Sequence, residues 1–124
     1  MKKAVKKIVL IAEDDPGIIE VMSIVLQDAG YTVITAETKK KILESITLHN
    51  PHLLLLDIWL SGENGEIIAR ELKNTAATKL LPIIIISANT QTEAIAKASG
   101  ADAFLAKPFD IDELVGMVSR YISQ

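Results

Sequence analysis

Four short apolar runs in this chain each end in residues able to do chemistry. Ile8–Ala12 leads into Glu13, Asp14 and Asp15, and Leu53–Leu56 into Asp57. The isoleucines 83–86 lead into Ser87 and Ala88, and Ala103–Ala106 into Lys107 and Pro108. If these runs are neighbouring strands of one open α/β sheet, the residues meet at one rim, because such sheets bind ligands beyond the carboxyl ends of their strands. Carboxylates gathered there cannot all stay ionised unless a cation joins them or one takes up a proton. With no imidazole or thiolate among them, the oxygens favour a hard cation, Mg²⁺ before Zn²⁺. A carboxylate beside Mg²⁺ is a competent nucleophile for phosphoryl transfer and would give an aspartyl-phosphate. A lysine and a hydroxyl then supply donors for the peripheral phosphoryl oxygens.

Each residue also has a plainer explanation. Asp15 reads best as a helix cap, and Ser87 taken alone caps a helix as readily as it touches phosphate. Lys107 alone is an ordinary surface lysine, and Asp57 alone a turn residue. These explanations would have to hold independently at four strand ends. Coincidence of type and position favours a site.

The rest of the chain supplies the elements that position these residues. Ile8–Ala12 is a strand buried on both faces. Asp15 and Pro16 start a helix whose face is Ile18, Met22, Val25 and Ala29, and Gly30 ends it. Tyr31–Ala36 reads as the second strand. Thr38–His49 is helical, with Ile42 and Ile46 one turn apart, and Pro51 stops it. Leu53–Leu56 is the third strand, Glu66–Asn74 a helix, and Pro82–Ile86 the fourth strand. Asn89–Ser99 is an Ala-rich helix with inner face Ala94, Ile95 and Ala98, and Ala103–Ala106 a short fifth strand. The last helix starts from a capping box, Asp110 with Glu113, and turns Ile111, Leu114, Val115, Val118, Tyr121 and Ile122 inward. Five strand–helix alternations with continuously apolar strands imply a doubly wound five-stranded parallel sheet, class α/β.

Composition agrees. The 124 residues are 49% hydrophobic, and Leu, Ile, Val and Phe make up about a third, well above a disordered composition. One domain over residues 1–124 is expected, with its core at about 8–122 and no room for an effector module. A net charge of −3 argues against direct nucleic-acid binding and against anionic membranes. The absence of cysteine excludes disulfides and thiolate sites. No apolar run approaches the ~20 residues of a membrane helix, and the apolar stretch after the N-terminal lysines is too short for a signal peptide. A cytoplasmic location is expected.

With these residues in view, the sequence resembles the receiver domains of two-component response regulators. The likeness runs from about Ile8 to Ile122. It rests on Glu13–Asp15, the leucine run ending at Asp57 with Gly65 eight residues on, Ser87-Ala88, and Gly100-Ala101-Asp102 leading through Phe104 to Lys107-Pro108-Phe109. The resemblance implies a flavodoxin-like (βα)5 fold with strand order 2-1-3-4-5. It implies that Asp57 accepts a phosphoryl group, in a Mg²⁺-dependent reaction, from a sensor histidine kinase or a phosphotransfer protein. Asp14 and Asp57 would bind the metal directly, Glu13 through water, and Trp59 through its backbone carbonyl. Lys107 would pair with Asp57 and then with the phosphoryl group. Ser87 would move toward the phosphoryl oxygens, and Phe104 would rotate inward as the switch aromatic. The Lys107–Pro108 bond is expected to be cis. Such a protein catalyses its own phosphorylation and dephosphorylation, is not a turnover enzyme on an external substrate, and signals to a downstream protein through the fourth helix, fifth strand and fifth helix.

Two positions depart from the family pattern. Leu60 and Ser61 stand where Met-Pro is usual, and Trp59 is a large residue two places beyond the acceptor. Both bear on the lifetime of a phosphoryl group. A haloacid-dehalogenase-type phosphatase would need an aspartate at position 59, which is tryptophan. A flavodoxin-like ligand-binding module would meet phosphate with a Gly- or Ser/Thr-rich loop, and no GxGxxG or GxxxxGK is present. A phosphorylation-independent pseudo-receiver, acting only as an interaction module, is expected to lack Asp57, Asp14 or Lys107, and all three are here.

Overall fold

A computed structural model describes residues 6–60, 62–88 and 92–122. Five strands, β1 (Ile8–Ala12), β2 (Thr32–Ala36), β3 (Leu53–Asp57), β4 (Ile83–Ser87) and β5 (Ala103–Ala106), form one parallel sheet in the order β2-β1-β3-β4-β5. Five helices alternate with them: α1 (Pro16–Asp28), α2 (Lys39–His49), α3 (Gly65–Lys73), α4 (Thr92–Ser99) and α5 (Ile111–Ile122). A two-residue antiparallel ladder, Trp59–Leu60 against Glu63–Asn64, lies between β3 and α3. The strand order reverses between β1 and β3. That places the crevice at the carboxyl ends of these two strands.

Alternation along each strand divides the core into two layers. Leu10, Leu54, Leu56, Ile83 and Ile85 pack against Ile42 of α2, Ile68, Ala69 and Leu72 of α3, and Ala96 of α4. Val9, Ile11, Leu53, Leu55, Ile84 and Ile86 pack against Met22 and Leu26 of α1 and Leu114, Val118 and Ile122 of α5. Every residue of β3 and β4 is buried, so a wholly apolar strand has a helix layer to meet on either side.

Local chemistry sets most boundaries. Asp15 Oδ1 accepts from Gly17 N at 2.9 Å and Ile18 N at 3.2 Å, which opens α1. Asp110 and Glu113 form the reciprocal capping box of α5, at 2.7 and 3.1 Å. Tyr31 stays out of β2 because its N–H closes the end of α1, donating to Leu26 O. β4 begins at Ile83 rather than Pro82, which has no N–H to give, and runs on through Ser87. Residues 89–91, the expected start of α4, lie outside the described residues.

Three helix faces differ from expectation. In α1 the buried residues are Met22 and Leu26, while Ala29 is exposed at the cap. In α4 the inward side is Ile95, Ala96 and Ser99, and Ala94 and Ala98 face out. The Ser99 hydroxyl donates to Ala96 O at 2.8 Å, which lets a polar side chain occupy a buried position. Ile111 of α5 is exposed, and the buried face of that helix begins at Leu114.

Candidate functional site

Glu13, Asp14 and Asp57 meet at the crevice, each offering a carboxylate oxygen within 4.8 Å of the others. Glu13 directly follows β1 and Asp57 closes β3, so the parallel register of these two strands brings them together. Glu13 and Asp57 are buried and Asp14 is exposed. Glu13 Oε2 accepts from the backbone N–H of Asp14 at 3.1 Å and of Asp15 at 3.3 Å, which fixes its side chain beneath the loop. Among the described residues no other group of three or more metal-ligating side chains forms. Three carboxylates with no nitrogen or sulfur donor suit a hard divalent cation.

Lys107 enters the same crevice from the end of β5. Its Nζ lies 3.0 Å from Glu13 Oε1 and 3.7 Å from Asp57 Oδ1. The ammonium therefore bridges the two buried carboxylates rather than serving Asp57 alone. Its backbone N–H donates to Ser87 O at 2.9 Å, joining the end of β4 to the loop that carries Lys107. Ser87 is itself buried at the end of β4. Phe104 is half-buried on β5, opposite Ile85, against the layer that includes α4. The Lys107–Pro108 peptide bond is cis, as expected.

Burial raises the Asp57 carboxyl from its ordinary 3.8 to about 6, the negative charge of Glu13 adding to the rise. The Lys107 ammonium and a hydrogen bond from the Trp59 backbone N–H oppose it. Asp57 thus ionises at a higher pH than an ordinary carboxyl, and added positive charge would favour its ionised form.

The residues after Asp57 lead through the short ladder to α3. Leu60 is fully buried, whereas Trp59 is 63% exposed. Ser61 lies outside the described residues. Gly65 begins α3 directly against β3, donating its N–H to Ile58 O at 2.7 Å. A Cβ at that position would collide with the Asp57 carbonyl oxygen and with Ile58 Cα. The sequence contains Gly65 at a notable spacing from Asp57 but does not disclose this close approach. Nor does it disclose that Glu13 is the nearer partner of Lys107.

Comparison with known proteins agrees with this geometry. The family model "Response regulator receiver domain" matches residues 9–119. The transcriptional regulator NtrC of Escherichia coli is 37% identical over 118 residues, covering 94% of this chain and 25% of NtrC. PhoB of Pseudomonas aeruginosa, the phosphate regulon regulatory protein, is 35% identical over 95% of this chain and 52% of its own length. The chain thus spans a quarter to a half of these relatives. A response-regulator structure from Chloroflexus aurantiacus superposes with a TM-score of 0.91 at 30% identity, covering 97% of this chain and all of that one. The receiver domain of the Pseudomonas aeruginosa sensor kinase PA1611, described with a magnesium ion in its active-site cleft, gives 0.86 at 25% identity over 97% of this chain and all of that one. This chain belongs to the response-regulator receiver family of two-component signal transduction. No helix among the described residues is long and apolar enough to cross a membrane.

Proposed function

We propose that Asp57 takes a phosphoryl group from a histidine of a sensor kinase or phosphotransfer protein and holds it as an acyl phosphate. A carboxylate oxygen of Asp57 bonds to phosphorus as the phosphorus–nitrogen bond of the donor breaks. One observation carries this reading: Asp57 shares a crevice with Glu13, Asp14 and the Lys107 ammonium, a set suited to gathering a divalent cation and a transferred anion. Bound Mg²⁺ would neutralise charge on the transferring oxygens. Asp14, Asp57 and the Trp59 carbonyl would hold it directly, and Glu13 through water.

Lys107 would first hold Asp57 in place, then turn to the phosphoryl oxygens as charge moves onto them. The Ser87 hydroxyl would donate to another oxygen. Its displacement would draw Phe104 inward and signal to a downstream protein through α4, β5 and α5. The protein would also return itself to the resting state by hydrolysing its own acyl phosphate, acting in the cytoplasm without touching nucleic acid or membrane directly.

The test is incubation with acetyl phosphate and Mg²⁺, read by intact-mass spectrometry. About 80 Da should be added, and the addition should vanish in Asp57→Asn or without metal. Undiminished labelling of Asp57→Asn would identify another acceptor and overturn the reading.

A further inference from the structure

The first turn of α2 is electrostatically awkward. It carries Lys39, Lys40 and Lys41 where the helix dipole already concentrates positive charge, and it holds no acidic residue. Its first backbone N–H groups also need acceptors from outside the helix. Thr38 Oγ1 serves Lys41 N at 3.2 Å. The N–H of Lys39 is served from far along the chain: Glu63 Oε1 accepts it at 2.8 Å. The Lys39 ammonium pairs separately with Glu71 of α3.

Glu63 belongs to the short ladder that follows Asp57, paired with Leu60 as Asn64 is with Trp59. Through this ladder the Trp59 backbone is fixed, and its N–H donates to the Asp57 carboxylate. A continuous set of bonds therefore runs from the α2 N-terminus through Glu63 and the ladder to Asp57. A two-residue ladder is too short to hold its own position in water. It needs an outside anchor, and a carboxylate on a triply basic helix N-terminus is a strong one.

We infer that Glu63 is a positioning residue for the acceptor site: by binding the α2 N-terminus it holds the Trp59 backbone, both N–H and carbonyl, against Asp57. The metal-binding part of this inference rests on the function proposed above. The N–H part does not.

Three variants separate the possibilities: Glu63→Ala removes the acceptor, Glu63→Asp shortens it by one methylene, and Glu63→Gln keeps the oxygen while losing the charge. Two readouts are needed, amide hydrogen exchange at Lys39 and Trp59, and Mg²⁺ titration followed by the emission of Trp59, the single tryptophan. Glu63→Ala should speed exchange at both amides and weaken Mg²⁺ binding about fivefold. Glu63→Asp and Glu63→Gln should both lie between it and the wild type, the first because the reach is shorter and the second because the acceptor remains without its charge. Glu71→Ala, which removes only the ammonium's partner, should leave Mg²⁺ affinity unchanged. Should Glu63→Ala fail to fold, Glu63→Asp supplies the same comparison. Unchanged Mg²⁺ affinity in folded Glu63→Ala or Glu63→Asp overturns the inference while leaving the proposed function intact. A wild type that binds no Mg²⁺ overturns the metal reading, and unaltered Trp59 exchange in the variants then overturns the remainder.

Discussion

Lys107 reaches Glu13 before it reaches Asp57, at 3.0 Å against 3.7 Å. The ammonium stands between two buried carboxylates and weakens their repulsion. In Lys107→Ala those carboxylates face each other directly, so the site gains net negative charge while losing the donor proposed for the phosphoryl group. Mg²⁺ affinity should therefore hold or rise. Phosphorylation by acetyl phosphate should slow at least about tenfold, which asks only ~1.4 kcal/mol of transition-state stabilisation from the lysine. Calorimetric Mg²⁺ titration and labelling rates check the two halves. A large loss of Mg²⁺ affinity in the folded variant would contradict this placement of Lys107.

The raised Asp57 carboxyl makes stability depend on pH in a definite direction. Its folded value of about 6 exceeds the ordinary 3.8, so the native state binds more protons between these limits. The contribution is fully present below about pH 4 and is lost as pH rises through 6. Above that, an ionised Asp57 burdens the metal-free protein. Asp57→Asn should be the more stable of the two at pH 7.5 without metal, by about 2 kcal/mol, with the gap closing toward pH 4. Urea unfolding at several pH values tests it; a gap that does not change with pH would show that Asp57 titrates normally.

Gly65 and Gly116 offer a contrast between two glycine-to-alanine changes. A Cβ at Gly65 meets the backbone of Asp57 and Ile58, whereas at Gly116 nothing lies within 4 Å. Gly65→Ala should cost about 2 kcal/mol or more and slow phosphorylation, because α3 can admit the methyl only by shifting the backbone of Asp57. Gly116→Ala, in the exposed middle of α5, should stabilise by up to about 1 kcal/mol. Thermal melts of both variants, with labelling of the first, decide the matter.

Trp59 bears on how long a phosphoryl group would last. Its backbone N–H donates to Asp57 and the residue is largely exposed, two places beyond the proposed acceptor. A bulky ring with only a donor N–H hinders in-line water and cannot orient it. Phosphoryl-Asp57 should decay more slowly in the wild type than in Trp59→Asn, whose amide can help position water. About tenfold is expected, again ~1.4 kcal/mol. Equal decay at fixed Mg²⁺ and pH would mean that the indole plays no part.

Much of this fold is legible in the residues. The wholly apolar runs Leu53–Leu56 and Ile83–Ile86 suffice to demand helices on both sides of a parallel sheet, because such strands have no face that tolerates water. Caps are equally local: Asp15 and the Asp110–Glu113 box act within three residues of the backbone they satisfy. The clustering of Glu13, Asp14 and Asp57 follows from strand ends alone, once the sheet is parallel and its order reverses between β1 and β3.

The helix faces were less legible. A helix as small and Ala-rich as α4 presents similar side chains on several sides, so its pattern cannot say which side packs. Contact with the sheet decided for Ile95, Ala96 and Ser99. Ile111 illustrates the converse, an apolar residue in phase with the buried stripe that is nevertheless left exposed in the first turn of α5.

By itself the sequence determined what depends on neighbours along the chain: the strands, the caps, the class of fold and the chemical type of the site. Tertiary structure alone decided the pairings between residues far apart in sequence. These include Lys107 with Glu13, Gly65 against the Asp57 carbonyl, and Glu63 on the N–H of Lys39. The reason is physical. Hydrophobic periodicity and capping are read over a few residues and tolerate small shifts. A hydrogen bond of 3 Å or a missing Cβ depends on where two distant elements stop, to within a fraction of an ångström. That is set only when the whole core has packed.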